Sequence, residues 1–233
     1  QGRGHAVGDV PRGRLVQDDG HPANTAIERR RPVHGASVDA WRQIVIFAAL
    51  ASIVVGALGA IGQRNIKRLM AYSSINNVGF MLIGLAAATP RGASAMLVYL
   101  AIYVAMSLGG FVAVLMLKDA EGNQVEDIAQ LAGISQHRKV LALCIAMIMF
   151  SLAGIPPLFG FWGKFVVFQA AVEAGLVALA AIGIAASVIG AFYYIKIVKI
   201  MYFDEPANRI GRSGHTTEAV LMAIMAVSGI ARI

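Results

Sequence analysis

From about residue 41 onward the chain is a succession of apolar blocks, each long enough to cross a lipid bilayer. A helix needs about 20 apolar residues to span a hydrocarbon core of ~30 Å. Only 14% of the residues are charged, against about 25% in ordinary soluble domains. The pattern predicts an all-α fold, a polytopic membrane helix bundle with about five to six transmembrane helices. The predicted spans are residues 43–63, 66–88, 93–117, 140–172 and 176–202, and a further apolar block starts near residue 218.

The block at residues 140–172 is too long for one upright helix. A straight helix of this length would extend ~50 Å, well beyond the hydrocarbon thickness. The block contains the sequence GIPPLFGFWGKF, in which Gly154, Pro156, Pro157 and Gly160 disfavour a continuous helix. The sequence therefore predicts one broken helix, made of two part-helices joined by an irregular segment.

Lys164 is the only formally charged residue between Lys139 and Glu173. Along a helix it lies ~14 Å from Glu173, close to the bilayer midplane. Ionisable residues at that depth usually face an ion or proton path. The alternative is a lysine whose amine reaches the headgroups along its aliphatic stem. The depth and the adjacent helix break favour a proton relay at Lys164.

The second span carries a cluster of polar side chains at a similar depth. Asn76 and Asn77 lie ~15 Å from Lys67 along a helix, and polar groups in hydrocarbon must find partners. One interpretation is hydrogen bonding between helices. The other is a hydrated proton path formed by Ser74, Asn76 and Asn77, and the sequence leaves both open.

The charge distribution predicts the orientation of the chain. The net charge is +7, and most basic residues lie beside span ends, as the positive-inside rule requires. The connections after spans one, three and five are therefore predicted to be cytoplasmic, and no nucleic-acid partner is indicated. Lys67 and Arg68 are predicted to anchor a cytoplasmic helix start. Tyr193, Tyr194 and Lys196 are predicted to form an interfacial aromatic and basic belt.

The first 36 residues differ in composition from the rest. They contain no Phe, Trp or Tyr and no apolar run, so we expect neither a signal peptide nor a transmembrane helix there. The sequence thus predicts an atypical segment at residues 1–36, either disordered or non-native, followed by a transmembrane domain at residues 37–233. No metal-ligand cluster or phosphate-binding loop is found in the sequence.

Four stretches of this chain resemble subunit N of bacterial NADH:quinone oxidoreductase, the respiratory complex I, and its mitochondrial counterpart, subunit 2. They are NIKRLMAYSSINNVGFMLIGL (65–85), YLAIYVAMSLGGF (99–111), SLAGIPPLFGFWGKF (151–165) and AFYYIKI (191–197). The resemblance covers roughly residues 38–205. It corresponds to the C-terminal half of an antiporter-like subunit of about fourteen helices. We therefore expect this chain to be a partial gene product or the product of a mis-predicted gene.

The resemblance implies a proton-translocating membrane subunit, in which Lys164 matches a lysine on the second broken helix. It implies that electron transfer from NADH to quinone, elsewhere in the complex, drives proton pumping. The host enzyme would use NADH, FMN, iron–sulfur clusters and quinone, and this chain would bind none of them. The expected partners are other membrane subunits of complex I and the lipid bilayer, and the expected location is the bacterial inner membrane.

Relatives often carry histidine where this chain has Asn77, so Asn77 does not itself transfer a proton under this interpretation. Two alternative functions stay open. One is an ion-exchange subunit of a multisubunit sodium/proton antiporter, a more distant relative with the same broken helix. The other is a structural membrane scaffold, for which Lys164 would have no role in transport.

Overall fold

The computed structural model describes residues 22–119 and 121–206, with side chains from residue 38 onward. These residues form seven α-helices and no strand. The helices are α1 (Pro22–Ile61), α2 (Ile66–Ala86), α3 (Pro90–Leu115), α4 (Ile134–His137), α5 (Lys139–Ala153), α6 (Phe159–Glu173) and α7 (Val177–Phe203), with a 3-10 turn at Ile128–Leu131. Residues 38–61 of α1, together with α2, α3 and α7, are long and apolar enough to cross a membrane.

The predicted all-α membrane bundle is confirmed for the described residues. The long block at residues 140–172 is divided, as predicted, into α5 and α6 of 15 residues each. The two helices are separated by residues 154–158, which include Gly154, Pro156 and Pro157, whereas Gly160 lies in the first turn of α6. The apolar block near residue 218 lies outside the described residues.

Helix α1 begins at Pro22, inside the segment predicted to be atypical. Ala26, Glu28 and the arginines that follow are good helix formers, and extending a helix is easier than nucleating one. The interpretation of residues 1–36 as a disordered or non-native segment stays a prediction, and residues 1–21 lie outside the described residues.

The interior contains two apolar clusters with polar side chains between them. Along α2, Met70 belongs to the first cluster and Phe80 to the second. The residues between them include Ser73, Asn76 and Asn77, which are all buried. The buried apolar residues of α5 belong to the first cluster and those of α6 to the second. The helix break therefore lies where the polar side chains of α2 lie, between the two clusters.

The connection between α3 and α5 is held against the start of α2. The side chain of Asn65 accepts hydrogen bonds from the N–H groups of Lys67 and Arg68 and so caps α2. Lys67 Nζ lies 2.7 Å from Glu126 Oε1, and Asn65 also donates to that carboxylate. The hydrogen bond from Lys67 holds the pKa of Glu126 below its usual range, and that from Asn65 adds to the effect. This exposed pair is consistent with Lys67 as an anchor.

Arg42 joins the ends of two helices on the opposite side of the bundle. Its Nε donates to the carbonyl of Ala86 at 2.9 Å, and its Nη2 donates to the carbonyl of Ala174 at 3.2 Å. Ala86 is the last residue of α2, and Ala174 directly follows α6. Helix C-terminal carbonyls lack intrahelical partners and carry partial negative charge. Arg42 therefore fixes α6, the helix of Lys164, against α2.

We expect Arg42→Gln to lower the stability of the bundle by about 2 kcal/mol, because two hydrogen bonds from a charged donor are lost. The measurement is the temperature at which half of the solubilised assembly disappears from a native gel. Arg91→Gln is the matched control, since the one interaction of the Arg91 side chain with the described residues is an exposed ion pair with Glu173, a type that contributes little. Equal shifts for both variants would contradict the role given to Arg42.

Candidate functional site

The amine of Lys164 points into the helix break. The residue is 6% exposed, and its Nζ donates to the carbonyls of Leu152 at 3.0 Å and Ala153 at 3.1 Å. A third hydrogen bond joins Nζ to Ser187 Oγ of α7 at 3.0 Å. The side chain therefore does not extend to the headgroups, and the alternative interpretation of a snorkelling lysine does not describe it.

Lys164 completes the hydrogen bonding at the end of α5. The last four carbonyls of a helix have no partner within it. Gly154 and Ile155 each donate an N–H group to the carbonyl of Phe150 at 3.1 Å, and Gly154 also donates to Ser151 at 3.0 Å. The two remaining carbonyls accept from Lys164. All four are therefore paired inside a bilayer, where an unpaired carbonyl costs several kcal/mol.

The local sequence explains why α5 ends here. Gly154 has φ +84°, a left-handed conformation that glycine adopts without steric cost. A Cβ at this position would lie 3.1 Å from Cδ of Lys164 and 3.3 Å from its Nζ. Pro156 and Pro157 have no backbone N–H group, so they add no unpaired donor to the break. These residue types permit the chain to turn at the end of α5 and permit the Lys164 side chain to approach that end.

The start of α6 is packed directly on the end of α5. The Gly160 N–H donates to Ser151 Oγ at 3.3 Å, and the same hydroxyl lies 2.9 Å from Met106 Sδ. A Cβ at Gly160 would overlap the carbonyl oxygen of Ser151. Glycine is therefore required where the two part-helices meet, and this contact sets the distance from α5 to Lys164.

Neutral groups and helix ends form the surroundings of the amine. The ring of Phe80 lies under Nζ, with the centroid at 5.0 Å, in the arrangement of a cation–π contact. The C-terminus of α5 supplies partial negative charge. Among the described residues no carboxylate forms an ion pair with Lys164. The positive charge is therefore compensated by dipoles and a ring face.

A second group of side chains, here called the polar layer, joins α2, α3 and α7. Tyr99 donates to Asn77 Oδ1 at 2.7 Å, and Asn77 Nδ2 donates to the carbonyl of Ser73 at 2.9 Å. The hydroxyls of Ser73 and Tyr194 share a hydrogen bond, and Asn76 Nδ2 lies 3.4 Å from Tyr193 OH. The polar layer consists of Ser73, Asn76, Asn77, Tyr99, Tyr193 and Tyr194, all of them buried.

One polar atom of this layer is unpaired. Asn76 Oδ1 is buried and has no hydrogen-bond partner among the described residues. Gly190 of α7 lies beside the same amide and has no side chain. A Cβ at this position would lie 3.5 Å from both Asn76 Nδ2 and Tyr193 OH. Gly190 follows Ser187 by one helical turn. The side-chain partner of Lys164 and the polar layer are thus neighbours along α7.

The structure separates the residues predicted for a hydrated path. Asn76 and Asn77 belong to the polar layer, whereas Ser74 donates to the carbonyl of Met70 on its own helix at 2.9 Å. Ser73, and not Ser74, is the serine that belongs to the polar layer. The predicted interfacial belt is wrong for Tyr193 and Tyr194, which are each 1% exposed. Hydrogen-bond partners on α2 hold both hydroxyls in the interior.

Ser187 and Tyr99 are among the residues of the site that sequence reasoning missed. Ser187 is the only polar side chain in the run VALAAIGIAASVIGAF at residues 177–192, and a lone hydroxyl in such a run is a usable signal. Tyr99 gave no comparable signal, since it lies among other apolar and aromatic residues. Its ring packs beside Gly163, where a Cβ would lie 2.5 Å from Cδ2, and so reaches the turn that carries Lys164.

Residues 23–190 match the model of a protein family described as "NADH:quinone oxidoreductase/Mrp antiporter, TM". The chain belongs to this family. The resemblance noted from the sequence motifs is thereby confirmed. The match includes residues 23–36 of the atypical segment and all residues from the start of α2 to Gly190.

A protein of Erythrobacter litoralis described as NADH-quinone oxidoreductase subunit N is 66% identical over 193 residues, which are 83% of this chain and 40% of the relative. This chain thus spans less than half the length of that relative. A chain of respiratory complex I from Thermus thermophilus with bound aureothin is 27% identical, with a TM-score of 0.70 over 80% of this chain and 42% of that one. A chain of the Mrp complex from Dietzia sp. DQ12-45-1b shares the fold, with a TM-score of 0.74 at 22% identity, over 82% of this chain and 44% of that one.

Proposed function

We propose that this chain is part of a proton-translocating membrane subunit of a bacterial NADH:quinone oxidoreductase, and that Lys164 accepts and releases the proton. The 66% identity to a subunit N protein supports the host enzyme. In this proposal other membrane subunits of the complex are its partners, in the inner membrane. NADH, FMN, iron–sulfur clusters and quinone act elsewhere in the complex, and no redox centre is held by this chain.

The neutral hydrogen-bond partners that the described residues offer the Lys164 amine are the observation that carries the relay role. A lysine in a buried ion pair would leave an uncompensated carboxylate when it loses its proton, which is strongly unfavourable. Here the hydrogen-bond partners are two carbonyls and a hydroxyl. Among the described residues, loss of the proton therefore leaves no uncompensated carboxylate behind, and the protonated amine is held by the dipoles of its partners. Repeated proton uptake and release requires that both states be tolerated in this way.

The polar layer extends the proposed path from Lys164. Asn76 Oδ1 is unpaired among the described residues, and a buried polar group of this kind is suited to bind a water molecule. Asparagine does not exchange protons near neutral pH, so Asn76 and Asn77 would orient water rather than carry a proton. Ser74 is not part of this proposed path, because its hydroxyl bonds to its own helix.

The host enzyme is tested by a native gel of solubilised membranes, stained for NADH oxidation, with peptides of the active band read by mass spectrometry. We expect the tryptic peptide at residues 140–164 in that band. Its recovery only from a band without NADH activity would contradict the proposal. The fold shared with an Mrp chain makes a sodium/proton antiporter the second candidate, and loss of growth at high sodium and alkaline pH after gene deletion would favour it.

A further inference from the structure

We propose that Ser187 is a positioning residue for Lys164, because its hydroxyl can accept a hydrogen bond from the protonated amine and donate one to the neutral amine. This inference rests on the proposed relay function of Lys164. The hydroxyl lies 3.0 Å from Nζ and belongs to α7, whereas the other two partners are carbonyls at the end of α5.

The protonated amine has three N–H donors and no acceptor. It faces three acceptors at 3.0 to 3.1 Å, namely the carbonyls of Leu152 and Ala153 and the hydroxyl of Ser187. Donors and acceptors therefore match one to one. In this state the hydroxyl of Ser187 accepts, and its own hydrogen is free to point elsewhere.

The neutral amine has two N–H donors and one lone pair. Carbonyls can only accept, so the two carbonyls take the two N–H groups and leave the lone pair without a donor. A serine hydroxyl can donate as well as accept, because its hydrogen rotates about the C–O bond. When Lys164 loses its proton, the Ser187 O–H group can turn and donate to the nitrogen. The amine then stays fully paired in the same position.

The described residues offer no substitute for this hydroxyl. The hydrogen bonds of Nζ are confined to the three partners named, and the face of the Phe80 ring attracts the cation but donates nothing to a neutral amine. Without Ser187, one N–H group of the cation would be unpaired, and so would the lone pair of the neutral amine. Both charge states would be less well held, with the nitrogen free to leave the helix break.

Ser187→Thr and Ser187→Val form a matched pair that isolates the hydroxyl. Both add the same branched volume at a half-buried position, and only threonine retains the O–H group. We expect the threonine variant to retain most of the protons pumped per NADH oxidised. We expect the valine variant to pump about fivefold fewer protons per NADH oxidised, a factor that corresponds to the loss of one hydrogen bond. The assay is dye quenching in inverted membrane vesicles that contain the whole complex, normalised to the assembled amount on a native gel.

Val188→Ala is the control for α7 itself, since Val188 is 68% exposed and is expected to leave pumping unchanged. If the valine variant does not assemble, Ser187→Ala replaces it in the comparison with threonine. Equal pumping by the variants with and without the hydroxyl would overturn the role of Ser187. Lys164→Met is measured in parallel. Normal pumping in that variant would instead overturn the relay function on which the inference rests.

Discussion

Lys164→Met in the full-length subunit is expected to abolish proton pumping while the complex still assembles. Methionine is unbranched and fills a buried site of similar length, but it has no group that exchanges a proton. Loss of a proton-transferring side chain typically slows the step it serves by about 100-fold or more. Pumping is measured by dye quenching in inverted vesicles. NADH oxidation with an artificial electron acceptor reports the amount of assembled enzyme.

Lys164→Arg separates the relay from a purely structural role. Arginine stays protonated in proteins, yet it can still donate to the carbonyls of Leu152 and Ala153 that Lys164 now pairs. We expect this variant to assemble at least as well as the methionine variant and to pump as poorly. Normal pumping by the arginine variant would show that the residue serves only to complete the end of α5.

The helix break could be predicted because its cause is local. A block that is too long for one crossing, together with Gly154 and two prolines, specifies an interruption without knowledge of the neighbours. The sequence also indicated that Lys164 lies within a helix extending to Glu173, as α6 does. The contacts of the amine did not follow from the sequence, because its three partners belong to two other helices. Two are carbonyls at the end of α5, and the third is the hydroxyl of Ser187, well inside α7.

The polar layer shows the same limit. Polar residues near the middle of α2 indicated that partners must exist, but not which face of the helix they occupy. Ser73 and Ser74 are neighbours in sequence, and they differ only in the direction in which their side chains point. Ser73 faces Tyr194 in the interior, whereas Ser74 bonds to its own helix. The two tyrosines of α7 resembled an interfacial belt because their position near Lys196 was known and their orientation was not.

Gly160→Ala is expected to have the second large effect, a loss of the assembled complex together with its pumping. The added Cβ would overlap the carbonyl oxygen of Ser151, and a backbone atom at the end of a helix cannot rotate away. Overpacking of this kind costs about 3 kcal/mol. To relieve it, α6 must move away from α5. That movement breaks the hydrogen bond from Gly160 to Ser151 Oγ and draws Lys164 away from the carbonyls of α5.

The matched control is Gly62→Ala, because a Cβ at Gly62 meets nothing within 4 Å. We expect this variant to assemble and pump like the unmodified protein, so that any loss in Gly160→Ala reflects the contact and not the added methyl group as such. The assembled amount is read from the native gel stained for NADH oxidation, and pumping from the vesicles. Normal assembly and pumping in Gly160→Ala would mean that α5 and α6 do not touch at Ser151. The position of Lys164 at the end of α5 would then lose its structural basis, because the same contact sets the distance between the two helices.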